Sequence, residues 1–289
     1  MSKESAPKVY PWRATMSKYI IPNLQKEKIE EFLADNKRLD GRGAEDYREL
    51  VVEEGISPTA SSSVRVKFGK TEVLAGVHLA AAVPYPDSPD EGTFMTSAEL
   101  HPMASQQFDI GRPGITAIEL ARVIDRGIRE SGFIDFKALC IEEGKKVWQV
   151  FVDIIAINDD GNLLDVAGLA AIIALGKARM PVYDAEEEKI EHDFTEDAIP
   201  LNQEALSFSM TFHKVGKKIV VDVSKEEEAI SEFRLTIAVG DNNGEPRITA
   251  MQKGKPGVIT AEDMETILKL VEVKWSEMFP KVKEYVFGK

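Results

Sequence analysis

Cysteine is nearly absent: a single residue, Cys140, serves a chain of 289 amino acids. No internal disulfide can form, which excludes the stapled secreted scaffolds and points to a reducing, cytoplasmic setting. Long apolar runs are missing too. The longest, Val166 to Leu175 with Gly168 inside it, is far short of the ~18 residues a membrane span needs. Met1 to Lys18 carries Pro7 and Pro11 among polar residues and lacks the apolar core of a signal peptide. Histidine is sparse. His78, His101, His192 and His213 are scattered, and no His-Glu-x-x-His pair, strand-to-helix phosphate loop or nucleophile elbow accompanies them. Basic residues are in deficit, 36 Lys and Arg against 49 Asp and Glu, for a net charge of −13. That excludes a generic nucleic-acid binder coated in cations, but leaves room for a local basic channel on an acidic body.

What is present supports a sizeable core: 43% of residues are hydrophobic, enough for one large domain or two intimate halves. Residues 1–22 read as a polar N-terminal arm. Leu24, Ile29, Phe32 and Leu33 then fall at helical spacing. Val64, Val66 and Phe68 alternate with Arg65 and Lys67, Gly69-Lys70 turns, and Thr71 to Leu79 returns as a second strand. A Pro-rich loop from Val83 to Gly92 precedes a strand from Thr93 to His101. Ala117, Leu120, Ala121, Ile124 and Ile128 mark a helix after Gly114. Strands are expected over Phe136–Glu142 and Lys146–Ile157. After the loop Asp159-Asp160-Gly161-Asn162, Asp165 is expected to cap an almost wholly apolar helix.

Residues 185–198 are acidic and poor in apolar side chains, a linker between a first half at 23–184 and a second at 199–289. The second half has strands around Phe208 to Phe212, Ile219 to Val223, Arg234 to Val239 and Arg247 to Gln252. A closing helix follows, capped by Thr260 with Asp263 three residues on. Hairpins with helices gathered on one face give an α+β fold with mixed sheets and packed helices.

Three groups of residues invite a chemical reading. Asp159, Asp160 and Asp165 form an acidic cluster that would suit a divalent-cation enzyme for small molecules. It lacks the spacing and closing Glu of a calcium loop, and a solvated turn with a cap explains the same residues. Cys140 sits on an alternating strand and reads as a packed thiol. Arg122, Arg126 and Arg129 share one helix face with Glu119, and Arg112 lies just upstream. Two readings stand side by side. One is a salt-bridged solvent face, with Asp125–Arg129 and Arg126–Glu130 as i,i+4 pairs; the other is a cationic stripe for phosphates.

The sequence resembles the RNase PH-type subunits of the RNA-degrading exosome, most closely the archaeal ring subunit that pairs with the catalytic one. The resemblance rests on four motifs in register. They are Arg38-Leu39-Asp40-Gly41-Arg42, Ile118 to Arg126, Val152 to Asn162, and Ala250-Met251-Gln252-Lys253. It implies two βαβ-rich halves in a six-membered ring around a channel. It also implies phosphorolysis of single-stranded RNA from the 3′ end in active members, where cations must gather around phosphate.

Against that pattern this chain departs in three places. Asp160-Gly161-Asn162-Leu163-Leu164 stands where active members have Asp-Gly-Gly-Thr-Arg. Gly114-Ile115-Thr116 stands where they have Gly-Arg-Thr. Of two acidic residues six apart, Asp222 is kept and the second is Glu228. Leu163, Leu164, Asp222 and Glu228 are thus degenerate active-site positions, and no residue is expected to be catalytic. The resemblance then implies a non-catalytic ring subunit. It would structure the site of a catalytic paralogue in a hetero-hexameric ring and help bind single-stranded RNA through Arg112, Arg122, Arg126 and Arg129. RNA-binding cap proteins are further expected partners, with no metal, cofactor or membrane. The alternative reading is a self-sufficient phosphate-dependent 3′-to-5′ exoribonuclease using Asp222 and Glu228.

Overall fold

The computed structural model describes residues 21–184 and 189–288; the expected arm, up to residue 20, lies outside them. The first sheet is built from β1 (Leu50–Glu54), β2 (Ser62–Phe68), β3 (Thr71–Ala82), β4 (Thr93–Leu100), β5 (Cys140–Glu142) and β6 (Lys146–Asn158). Its order is β1-β2-β3-β6-β4, with β5 also on β6. The β4–β6 pair is parallel and the other pairs are antiparallel, so the sheet is mixed. After a surface hairpin, β7 (Arg179–Asp184) with β8 (Lys189–Ala198), a second sheet follows. It has the order β10 (Lys218–Val221), β9 (Ser207–Val215), β11 (Phe233–Asn242), β12 (Glu245–Gly254), all antiparallel.

The helices are α1 (Asn23–Ala34), α2 (Ile115–Arg129), α3 (Leu163–Lys177), α4 (Lys225–Ile230) and α5 (Ala261–Phe287). The apolar helix of the sequence is α3, and its place explains its composition. It packs against β2, β3 and β6 of the first sheet, β9 of the second, and α5. Every residue from Leu164 to Leu175 is buried, as a helix without a polar face must be. One continuous core joins the two halves, running from Val64 on β2 through Ile172 on α3 and Phe212 on β9 to Val286 on α5. Helix α5 begins with the expected capping box, Thr260 and Asp263 each bonding to the other's backbone.

Three expectations are corrected. Asp165 is not the cap of α3. That position is Asn162, in the left-handed region at φ 58°, while Asp165 lies inside the first turn and turns away to Thr211. Phe136 to Leu139 is not a strand but a short 3-10 turn at Lys137–Leu139, because Asp135 Oδ1 accepts from the amides of Lys137 (3.1 Å) and Ala138 (3.2 Å). Within the stretch expected to be a linker, Lys189–Ala198 is strand β8; its low apolar content reflects a two-stranded surface hairpin. The remaining difference is omission: β1, β7 and the one-and-a-half-turn α4 carry too little periodicity to stand out.

Candidate functional site

Two of the three departures from the active pattern, at Leu163 with Leu164 and at Glu228, converge in space, whereas the third, Ile115, is exposed and lines a separate groove. Thr116 on α2, Leu163 and Leu164 at the start of α3, and Glu228 on α4 line one hollow of about 50 Å³, floored by Thr211 and His213 of β9. Leu164 is buried, and Leu163 packs against the small cluster of Ala104, Phe108 and Ala156. Leu163 and Leu164 present hydrocarbon to the hollow, which offers no donor to an anion.

The hollow's one cation is spent. Arg234 of β11, with 13% of its side chain exposed, is ion-paired to Glu119 of α2. His213 is fully buried, with Nδ1 3.1 Å from Ser231 Oγ, and burial holds its pKa well below the usual value, so the ring is neutral. Asp165 accepts from Thr211 N (3.0 Å) and Thr211 Oγ1 (2.6 Å). Burial pushes its pKa up to about 7, although those hydrogen bonds favour the charged form.

Asp222, the acidic residue that is kept, does not line this hollow. It is fully buried and sits at φ 44°. Arg48 grips its carboxylate with Nη2 at 2.6 Å and Nε at 2.9 Å, Arg42 Nη1 adds 3.0 Å, and Asn162 Nδ2 donates at 2.9 Å. Burial alone would raise its pKa, but the Arg48 guanidinium holds it below the ordinary carboxylate range. Beside it Arg38 donates from Nε to Glu227 at 2.9 Å, from Nη1 to the carbonyl of Val221 (3.1 Å) and from Nη2 to that of Asp222 (2.8 Å). The Arg38-to-Arg42 motif is therefore half of a buried clasp binding the segment before β1 to the turn after β10. Glu228 lines the hollow and Asp222 does not.

The four sequence-selected arginines do not form one stripe. Arg112 is exposed in the loop before α2, beside a hollow of about 310 Å³ with Leu100 and Phe108 in its wall. Arg122 and Arg126 line a different groove, of about 660 Å³, between α2 and β12. Arg126 is paired to Glu130 at 3.2 Å. Arg129 is committed: it binds Asp125 (3.1 Å) and the carbonyl of Phe94 (2.8 Å), and its guanidinium lies over the rings of Phe94 and Phe136.

The acidic cluster comes apart in the same way. Asp159 is ion-paired to Lys225, Asp160 lies 3.7 Å from Arg48, and Asp165 serves Thr211. Among the described residues no three His, Cys, Asp or Glu are placed to hold a metal ion. Sequence reasoning missed Arg48, His213 and Arg234. Each stands in a segment that reads as an ordinary strand or loop; nothing local marks the cations Arg48 and Arg234, whose partners Asp222 and Glu119 lie more than a hundred residues away, or the buried neutral ring of His213.

Comparison with known proteins matches both halves. Residues 46–181 fit domain 1, and residues 206–271 domain 2, of the 3′ exoribonuclease family RNase PH. The exosome complex component Rrp42 of Methanosarcina mazei is 43% identical over 88% of this chain and 91% of its own. That of Methanothermobacter thermautotrophicus is 40% identical over 92% of this chain and 96% of its own. Among solved structures, an Archaeoglobus fulgidus exosome with RNA bound to the active site superposes with a TM-score of 0.79. The two chains are 39% identical over 89% of this chain and 98% of that one. Rice Rrp46, at 18% identity and a TM-score of 0.62, shares the fold. With both family domains in sequence order and close relatives spanning nearly the whole chain, the protein belongs to the RNase PH family, in its Rrp42 exosome-component branch.

Proposed function

We propose that this chain is the non-catalytic ring subunit of an RNA-degrading exosome, pairing with a catalytic RNase PH-type paralogue whose active site it completes. The observation that carries the reading is the filled hollow: Leu163 and Leu164 occupy its wall, and Glu119 neutralises its one cation, Arg234. Phosphoryl transfer depends on positioned positive charge, and none is free there. The reading as a self-sufficient nuclease needs Asp222 and Glu228 together, and Asp222 is sealed under Arg42 and Arg48.

RNA contact belongs to Arg112, which is exposed and unpaired among the described residues. Single-stranded RNA, cap proteins and a hetero-hexameric ring complete the proposal. The test is 5′-labelled poly(A) with inorganic phosphate and Mg²⁺, given this chain alone, the paralogue alone and the mixture. Shortening should be absent with this chain alone and faster in the mixture than with the paralogue. Arg112→Glu should weaken RNA binding by the mixture. Phosphate-dependent shortening by this chain alone would overturn the proposal.

A further inference from the structure

Strand β1 closes the first sheet on the side away from β4, so its outer edge is unpaired, and bare edges invite another strand. Glu49 accepts at its carbonyl from Gly69 N (3.2 Å), and Gly55 N donates to the carbonyl of Ser63 (2.9 Å). Residues bonded to the neighbouring strand alternate along an antiparallel pair. Val51 and Glu53 therefore face β2, while the N–H and C=O groups of Leu50, Val52 and Glu54 point outward. Among the described residues those groups have no other backbone partner. They open onto a groove of about 1090 Å³, with Leu50 and Glu54 on one wall and Lys281 and Glu284 of α5 on the other. Tyr47, Met278 and Tyr285 contribute apolar surface to it.

The charges lining this groove are unequally committed. Arg42 and Arg48 are held by Asp222, Lys177 by Glu54 at 3.0 Å, and Lys274 by Glu277 at 2.8 Å. Asp46, Glu49 and Glu284 have no ion-pair partner among the described residues, and against them only Lys281 is left uncommitted. We propose that the groove takes an extended, Lys- or Arg-bearing segment of a partner protein, which adds as a strand to β1 and sets its cations against Asp46, Glu49 and Glu284. The site stands apart from the filled hollow and does not depend on the exosome reading. Three features select this occupant. The outward main-chain groups match an extended backbone, as in other strand additions at a sheet edge, and the five residues of β1 offer it ~17 Å. The uncommitted charge is negative, which draws in a basic chain and repels RNA phosphates. A second copy pairing through the same edge would bring its own Glu49, Glu53 and Glu54 against these, and like charges across a strand pair are destabilising.

The test titrates the full chain with a labelled peptide of about eight alternating Lys and Val residues, long enough to span β1, and follows fluorescence anisotropy. That peptide should bind, and a Glu-Val counterpart should not. Glu49→Lys and Glu284→Lys should each weaken binding on the order of tenfold. Glu272→Lys, exposed on α5 outside the groove, should not. Val52→Pro removes one outward N–H while sparing the bonds to β2, and it should weaken binding as well. Amide exchange at Leu50, Val52 and Glu54 should slow in the complex of the unmodified chain, which reports strand addition even if a variant misfolds. Equal binding of the two peptides, or Lys-Val binding with unchanged exchange in β1, would overturn the proposal. Slowed exchange at the same amides with poly(A) in place of the peptide would make the groove an RNA surface. A dimer lost in Val52→Pro would make the occupant a second copy. Protection in the free chain that disappears on removal of residues 1–20, with Lys3, Lys8, Arg13 and Lys18, would make it the chain's own basic stretch. Each of these three results also overturns it.

Discussion

Two buried aspartates lie on either side of Asn162 and respond to pH in opposite directions. Asp222 has a folded pKa held below its ordinary value, so its contribution is present above the unfolded value and lost as pH falls through the folded one. Asp165 has a folded pKa raised to about 7. The unfolded chain therefore gains an ionised group between about pH 4 and 7 that the folded chain resists, and stability falls as pH rises across that window. Asp165→Asn keeps one acceptor for the Thr211 amide and one donor for its hydroxyl. We expect the variant to gain on the order of a few kcal/mol relative to the parent between pH 5 and pH 8. Denaturant unfolding at the two pH values measures it, and a difference that does not change with pH would contradict the assignment.

At the scale of elements, the turn into α3 decides where the degenerate positions point. Gly161 has φ 84°, and a Cβ there would stand 2.5 Å from the carbonyl oxygen of Val223. Its own carbonyl accepts from Arg48 Nη2 at 3.1 Å and Thr71 Oγ1 at 2.7 Å. Gly161→Ala combines a left-handed backbone with a clash against main chain. It should cost roughly 3 kcal/mol or more and lower the melting midpoint by several degrees. A midpoint within one degree of the parent would show that the turn can relax. Helix α5 is the contrasting case, where a local capping box alone specifies the start.

For the whole molecule, the core and the clasp make the two halves one folding unit. Val64 and Val286 belong to the same buried cluster, and the Arg48–Asp222 and Arg38–Glu227 pairs cross from the first half to the second. Calorimetry of the isolated chain should show one transition with equal van't Hoff and calorimetric enthalpies. Two resolved transitions would mean that the halves unfold separately. The same unity bears on the exosome reading, since a ring subunit presents two edges at once and its halves must keep a fixed relation.

Much of this was determined by the sequence alone. Alternation at Val64, Val66 and Phe68 with the Gly69 turn set the β2–β3 hairpin. The all-round apolar run set α3 in the middle, and Thr260 with Asp263 set the start of α5. That Leu163 and Leu164 offer no side-chain donor to an oxyanion was legible from residue type alone. Tertiary structure decided the rest. In the alternative reading Asp222 was half of a catalytic pair, but its distant partners Arg42 and Arg48 fix where its carboxylate points. The four arginines looked like one stripe until packing sent Arg129 onto Phe94, left Arg122 beside β12, and put Arg112 on another surface. Local pattern is carried by spacing along the chain and can be read from it. Side-chain direction and the choice of ionic partner depend on residues 174 to 189 positions away, and only the packed fold brings those together.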